Sequence, residues 1–325
     1  MILVTGAAGF IGFSVARRLL DRGETVVGLD SLSPYYDPRL KRARLAQLEG
    51  RDGFTFHHVD LSDRAAAGAV FERHPGIEGI VHLAAQAGVR HSLTEPFAYV
   101  DANVTGHLVV LEACRRLPAL KHLVYASTSS VYGANSKLPF SVEDRVEQPV
   151  SLYAATKLAD EMMTKAYVRL FGFPATALRF FTVYGPWGRP DMSAFLFTRA
   201  ILAGEPIEVF NGGEMERDFT YIDDIVAGVL AALDRPPPKG EAEPPHRTYN
   251  LGNHRRVPLM RFIETIEKAC GRKAAIAFKP MQLGDVQATC SDIKASTRDL
   301  GYRPSTNIEE GIPNFVAWYR EYYGV

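Results

Sequence analysis

Short runs of apolar and β-branched residues alternate with longer stretches of helical period through the first half of the chain. Ile2–Thr5, Thr25–Asp30, Phe54–Val59, Gly79–Leu83 and His122–Ser127 read as strands, and the first leads into a helix reaching Arg22. Runs such as Ile80–Leu83 and His122–Tyr125 are apolar at nearly every position, the pattern of strands covered on both faces. The expected fold class is therefore α/β, a doubly wound parallel sheet built from βαβ units. Beyond Arg179 the pieces become shorter and are punctuated by glycine and proline, at 185–190 and 211–213, with helices near Ser193–Ala203 and Leu259–Cys270. This predicts a smaller mixed α/β C-terminal substrate domain. The expected division is 1–178 for the larger unit, which also receives about 221–250, and 179–220 with 251–325 for the smaller. The proline-rich run 236–245 fits neither helix nor ladder and is expected as an exposed loop before a strand at Thr248–Leu251.

Composition narrows the partners. In 325 residues, 37 basic and 37 acidic side chains balance, so no nucleic-acid or membrane partner is expected and small molecules remain. The three cysteines are far apart and the nine histidines show no ligand spacing, which predicts no metal, no disulfide framework and a reducing compartment. With a strand at Ile2 and no apolar run of spanning length, the expected location is cytoplasmic. The basic stretch 39–48 reads as a solvated face, with Lys41 a minor candidate for the adenosine end of a cofactor.

Gly6-Ala7-Ala8-Gly9-Phe10-Ile11-Gly12 follows a strand and opens a helix. Glycines there allow a tight turn, close backbone approach to a pyrophosphate and close helix packing, with the helix N-terminus facing the anion. Asp30 ends the second strand, where a carboxylate accepts both adenosine-ribose hydroxyls and repels a 2′-phosphate, so NAD is expected in a Rossmann-type site. Asp30 also suits a turn cap. Asp60, followed by Leu61 at the end of the third strand, has the same two readings, adenine partner and helix cap.

Tyr153 and Lys157 stand at i and i+4 on an expected helix, so an ammonium can stabilise a tyrosinate on the same face. A free phenol titrates near 10, and local positive charge is needed for it to act as a base near neutrality. Ser127-Thr128-Ser129-Ser130 emerges past the end of a central strand, the ligand side of such sheets, and Thr128 is the expected substrate-facing hydroxyl. A hydrogen-bonded turn is the plainer reading of that loop.

Together, Gly6–Gly12, His82-Leu83-Ala84-Ala85, Asn103-Val104-Thr105-Gly106, Ser127–Gly133 and Tyr153–Lys157 resemble the extended short-chain dehydrogenase family over nearly the whole chain. The resemblance implies a tightly held NAD contacted by Leu83, Ala84, Ala85 and Asn103, with Thr128, Tyr153 and Lys157 as the catalytic set. More narrowly, Tyr35-Tyr36-Asp37, Gly185–Met192 and Arg217–Ile225 resemble UDP-glucuronate 4-epimerases. That implies oxidation of a UDP-uronate at C4, rotation of the 4-keto sugar and reduction on its other face. Related decarboxylases and 4,6-dehydratases carry an acid directly before the Val-Tyr-Gly, where this chain has Ser130. A decarboxylase or another UDP-hexose 4-epimerase is the alternative within enzymes, and an NAD-binding regulator the alternative outside them.

A 4-keto uronate is a β-keto acid, so its carboxylate must be held away from the geometry that releases carbon dioxide. Arg189, which can bind a carboxylate bidentately, is the expected restraint, joined by Thr182, Ser129 and Ser130, with Arg90 a second candidate. By resemblance Arg217 binds the pyrophosphate and Asp285 the uridine ribose, while an arginine common before that Gly-Asp is Gln282 here. The family also implies a homodimer through two long helices, expected at Pro96–Arg116 and Leu152–Phe171.

Overall fold

The computed structural model describes residues 1–238, 240 and 244–325, so Lys239 and residues 241–243 of the expected proline-rich loop lie outside the described residues. Six strands, β1 (Ile2–Thr5), β2 (Val26–Asp30), β3 (Phe54–His58), β4 (Gly79–His82), β5 (His122–Thr128) and β6 (Ala175–Phe180), join the strand His246–Leu251 in one sheet. Its order is β3-β2-β1-β4-β5-β6 with His246–Leu251 at the far edge, and every pairing is parallel. The doubly wound expectation is met. Strand β6 is the addition: its Ala-Thr-Ala start carries little β signal, yet all six of its residues are buried.

Helices cover both faces and divide the interior in two. One core gathers Phe13 and Leu19 of the helix Phe10–Asp21 with Ile225 and Val229 of the helix Ile222–Leu233. The other gathers Val70, Val110 and Val168 from three helices against Leu3, Leu29 and Leu123. Because both faces are covered, the central strands are apolar at most positions, which is what made them readable. Residues 182–325 add three two-stranded pairings, Thr182–Tyr184 with Phe219–Tyr221, Val257–Pro258 with Glu216–Arg217, and Ala275–Lys279 with Pro206–Phe210.

The helix expected at Pro96–Arg116 is interrupted. Pro96–Tyr99 is α-helical, Val100–Thr105 is a π-helical turn, and Gly106–Cys114 resumes the α-helix. The interruption contains Asn103, whose side chain pairs with both backbone groups of Gln86 (2.8 and 3.1 Å) and donates to Thr156 Oγ1 (3.0 Å). Such single-turn widenings accommodate a side chain that must reach a fixed partner.

Candidate functional site

A cavity of about 640 Å³ opens where the sheet order reverses between β1 and β4, at the C-terminal ends of the strands. Gly6, Gly9, Phe10, Ile11 and Gly12 form one wall. Here the glycines are demanded by contact: a Cβ on Gly12 would lie 2.0 Å from the Gly6 carbonyl oxygen, and one on Gly6 would lie 2.9 Å from the Ala84 nitrogen. Gly6 also sits at φ +72°, where a side chain is strained. The helix that follows has Gly9 at its cap, no capping side chain and no acid in its first turn. Its first amides are thus unclaimed within the helix and present the positive end of its dipole to the cavity, a fit for a pyrophosphate.

Asp30, Lys41, Asp60 and Leu61 line the same cavity. Asp30 is buried and accepts from the Ala8 amide (3.1 Å) and the Leu32 amide (2.8 Å), so it braces the glycine turn as well as facing the cavity. Asp60 accepts from the amide and hydroxyl of Ser62 (2.8 and 2.7 Å), while the cap of the following helix is Asp63, which accepts from the Ala65 and Ala66 amides. Burial lowers the Lys41 ammonium, with the Asp30 charge acting against it. The solvated reading of residues 39–48 needs correction at Lys41 and Arg44, both buried. Arg44 donates to the carbonyls of Ala8, Trp187 and Gly188 and to Tyr36 Oη, at 2.7 to 3.2 Å. Its planar fork ties the glycine turn to the 185–190 loop, and that many carbonyl acceptors offset its burial.

Thr128, Ser129, Ser130, Tyr153, Lys157 and Thr182 line the same cavity as Leu83, Ala84 and Ala85. Thr128 ends β5 and caps a short turn, accepting from the Ser130 amide (3.2 Å) and donating to Ser130 Oγ (3.3 Å), so the loop is both a bonded turn and a cavity wall. Tyr153 and Lys157 occupy the first turns of the helix Leu152–Phe171, which Ser151 caps by accepting from the Ala154 amide (3.1 Å). Lys157 is 2% exposed, and its Nζ donates to Asp160 Oδ2 at 2.6 Å.

Charge pairs make up another part of the cavity lining. Arg189 donates through Nε and Nη2 to Asp191 (3.0 and 2.5 Å), and Tyr35 Oη donates to the same carboxylate (3.1 Å). Arg217 donates to Asp285 Oδ1 (2.6 Å), so two residues expected at the nucleotide end are joined to each other. Arg189, Arg217 and Asp285 all line the cavity. Two expected residues do not. Asn103 is buried in the bridge to Gln86 and Thr156, and Arg90 is exposed with its guanidinium 4.7 Å from the centre of the Phe210 ring. Asp191 and Asp160 were missed by the sequence reading. Asp191 lies two positions after Arg189 and Asp160 three after Lys157, spacings that signal an ion pair only once the arginine or lysine is under suspicion. Among the described residues no group of three or more potential metal ligands is found.

Residues 2–252 match the model of the NAD dependent epimerase/dehydratase family. The chain is 48% identical to a probable UDP-glucuronate 4-epimerase of Rhizobium meliloti (strain 1021), covering 99% of this chain and 97% of that protein. It is 46% identical to UDP-glucuronate 4-epimerase 3 of Arabidopsis thaliana, covering 99% of this chain and 77% of the plant protein. The crystal structure of a UDP-glucuronic acid 4-epimerase from Bacillus cereus, in complex with UDP-glucuronic acid and NAD, superposes with a TM-score of 0.90 at 33% identity over 99% of both chains.

Proposed function

The chain belongs to the NAD dependent epimerase/dehydratase family, and from that premise we propose that it is an NAD-dependent UDP-glucuronate 4-epimerase interconverting UDP-glucuronate and UDP-galacturonate. One observation carries the reading: Thr128, Tyr153 and Lys157 line one cavity together with the glycine turn, Arg189, Arg217 and Asp285. In this reading one cavity takes both the dinucleotide and the nucleotide sugar, with the reacting carbon at the tyrosine.

When bound, NAD supplies the acceptor for the C4 hydrogen and returns it, so the reaction is redox-neutral. Gly6, Gly9 and the first-turn amides of Phe10, Ile11 and Gly12 hold its pyrophosphate, and Asp30 its adenosine ribose. Asp60, Leu61 and Lys41 flank the adenine end, and Leu83, Ala84 and Ala85 border the rest of its path. Tyr153 takes the O4 proton of the sugar, Lys157 stabilises the resulting phenolate, and Thr128 supports the oxygen by hydrogen bond. The same phenol gives the proton back after the ketone has turned over. Ser130 adds no acid-base group beside C5, which favours epimerisation over the decarboxylase alternative.

Arg189, with the hydroxyls of Ser129, Ser130 and Thr182, restrains the uronate carboxylate. Because Asp191 takes the Nε–Nη2 edge of Arg189, the other edge of the guanidinium is the one offered to the sugar. Arg217 and Asp285 exchange their mutual bond for the pyrophosphate and the uridine ribose. Arg90 is the outermost candidate, and Asn103 serves the cofactor through the Gln86 backbone. Residues 1–178 with about 221–250 form the cofactor-binding unit of this reading, and 179–220 with 251–325 the sugar-binding unit.

The reading extends to a cytoplasmic homodimer. Phe97 and Val100 (80% and 40% exposed) with Met162, Leu170 and Phe171 (47%, 72% and 44%) leave apolar side chains uncovered on the two elements that the family resemblance points to. Three free cysteines fit a reducing compartment. The test is Tyr153→Phe: turnover of UDP-glucuronate should fall on the order of 10³-fold while bound NAD is retained. Retention of full turnover contradicts the reading.

A further inference from the structure

The helix Leu152–Phe171 carries two successive carboxylates, Asp160 and Glu161, and both are fully buried. An ionised carboxylate out of water costs several kcal/mol unless charge and hydrogen bonds offset it. Glu161 is satisfied by Arg179 (2.9 and 2.8 Å) and by the Ser127 hydroxyl (2.6 Å). Asp160 has one strong partner, the Lys157 ammonium on Oδ2 at 2.6 Å, while its Oδ1 has none among the described residues. The site therefore keeps an expensive buried anion whose one ion-pair partner among the described residues is the lysine of the reaction.

Among the described residues, Asp160 is the one carboxylate paired with Lys157. His82 of β4 is neutral by hydrogen-bond logic: Thr5 Oγ1 accepts from the Leu83 and Ala84 amides (3.1 and 3.0 Å), so its own hydrogen goes to His82 Nδ1 (2.7 Å). His107 of the helix Gly106–Cys114 follows the same logic. Thr164 Oγ1 donates to the Asp160 carbonyl (2.8 Å), so it accepts from His107 Nε2 (2.7 Å), and His107 Nδ1 is left buried without a partner. Burial and the Lys157 charge both push these two rings downward, His82 to about 3. Tyr125 of β5 and Tyr99 are pushed up, mainly by burial, and stay uncharged, and Glu161 is committed to Arg179. Burial also pushes Asp160 up to about 6, with Lys157 opposing, so the carboxylate is ionised near neutrality.

We infer that Asp160 is a positioning residue for the reaction: its carboxylate supplies the counter-charge that holds the Lys157 ammonium in place one turn beyond Tyr153. The inference rests on reading Tyr153 and Lys157 as the proton-transfer pair. Without the carboxylate, a buried ammonium flanked by two neutral imidazoles favours the uncharged amine, and the phenolate loses its stabilising neighbour.

The test uses NAD-loaded full-length enzyme with Asp160→Asn, which keeps size and one acceptor oxygen, and Asp160→Glu, which keeps the charge. The acid limb of the kcat profile should move to higher pH by about one unit or more in D160N, with KM for UDP-glucuronate little changed. The ultraviolet tyrosinate titration of Tyr153, taken as the difference from the matching Y153F protein, should move in the same direction. D160E should keep the wild-type limb and recover most of the rate, whether or not D160N can be purified. A uniform loss of kcat at every pH in D160N, with limb and tyrosinate titration unmoved, overturns the inference while Y153F still upholds the reading beneath it. So does a D160E limb that is displaced. A fully active Y153F removes that reading and this inference with it.

Discussion

Two parts of the cavity lining are built in different ways. At the glycine turn the binding groups are backbone amides, and their arrangement is enforced by contacts so close that a single methyl group at Gly12 would meet the Gly6 carbonyl oxygen at 2.0 Å. Around Arg189 and Arg217 the polar groups are long side chains that already hold one another: Arg189 with Asp191, and Arg217 with Asp285. The first part is rigid and has nothing to rearrange. Under the proposed function the second exchanges internal ion pairs for substrate contacts, so its net binding energy is a difference between two paired states. Affinity for the cofactor should therefore depend on shape, and discrimination among sugars on charge.

Breaking the rigid part should give the larger effect. Gly12→Val places a side chain where the turn carbonyl stands, and NAD affinity should fall on the order of a hundredfold, roughly 3 kcal/mol. Equilibrium dialysis with NAD checks it, and near wild-type affinity would mean the turn is not the pyrophosphate site. The paired part should respond more selectively. In Arg189→Gln, kcat/KM for UDP-glucuronate should fall about tenfold or more, with that for UDP-glucose nearly unchanged. Equal losses on both sugars would make Arg189 a loop brace, the role that its bond to Asp191 alone would give it.

The same contrast explains what the sequence disclosed. Backbone sites are written locally: Gly6, Gly9 and Gly12 follow a strand and open a helix, and Tyr153 and Lys157 share a helix face, so both were legible with the sheet around them. The alternation of apolar runs and helical periods pointed to the doubly wound parallel sheet, although β6, with Thr176 its one β-branched residue, was missed. Pairs between distant segments are not written in any window. Arg44 lay in a basic stretch that reads as solvated, yet it is buried because Trp187 and Gly188, more than a hundred residues away, turn their carbonyls toward it. Arg90 illustrates the converse: a cation in a promising loop whose nearest described partner is the ring of Phe210, outside the cavity lining.

A smaller, global effect comes from the rings below and behind the site. His82 is lowered to about 3 and His122 and His246 to about 4, each mainly by burial. Their folded values lie below the unfolded 6.5, so the unfolded chain takes up protons that the folded one refuses as the pH falls from about 6.5 to 4. The stability they contribute is complete above about pH 6.5 and declines below it, by about 1 kcal/mol per pH unit for each ring. Asp160, raised to about 6, acts in the opposite sense between about 4 and 6 and offsets part of one ring's share. Urea midpoints at about pH 7.5 and 5 should show a clear net loss at the lower pH. A midpoint independent of pH over that interval would mean these rings are protonated in the folded protein.

The central claim is that a general oxidation at C4 is steered to inversion, with Ser130 offering no acid at C5 and Arg189 restraining the carboxylate. Its most direct test is to incubate the NAD-loaded protein with UDP-glucuronate and follow the sugar signals by NMR. The account predicts UDP-galacturonate, approaching the same mixture when the reaction starts from either uronate, with no carbon dioxide released. Accumulation of UDP-xylose or a UDP-4-keto-pentose, or a substrate left unchanged, would contradict it.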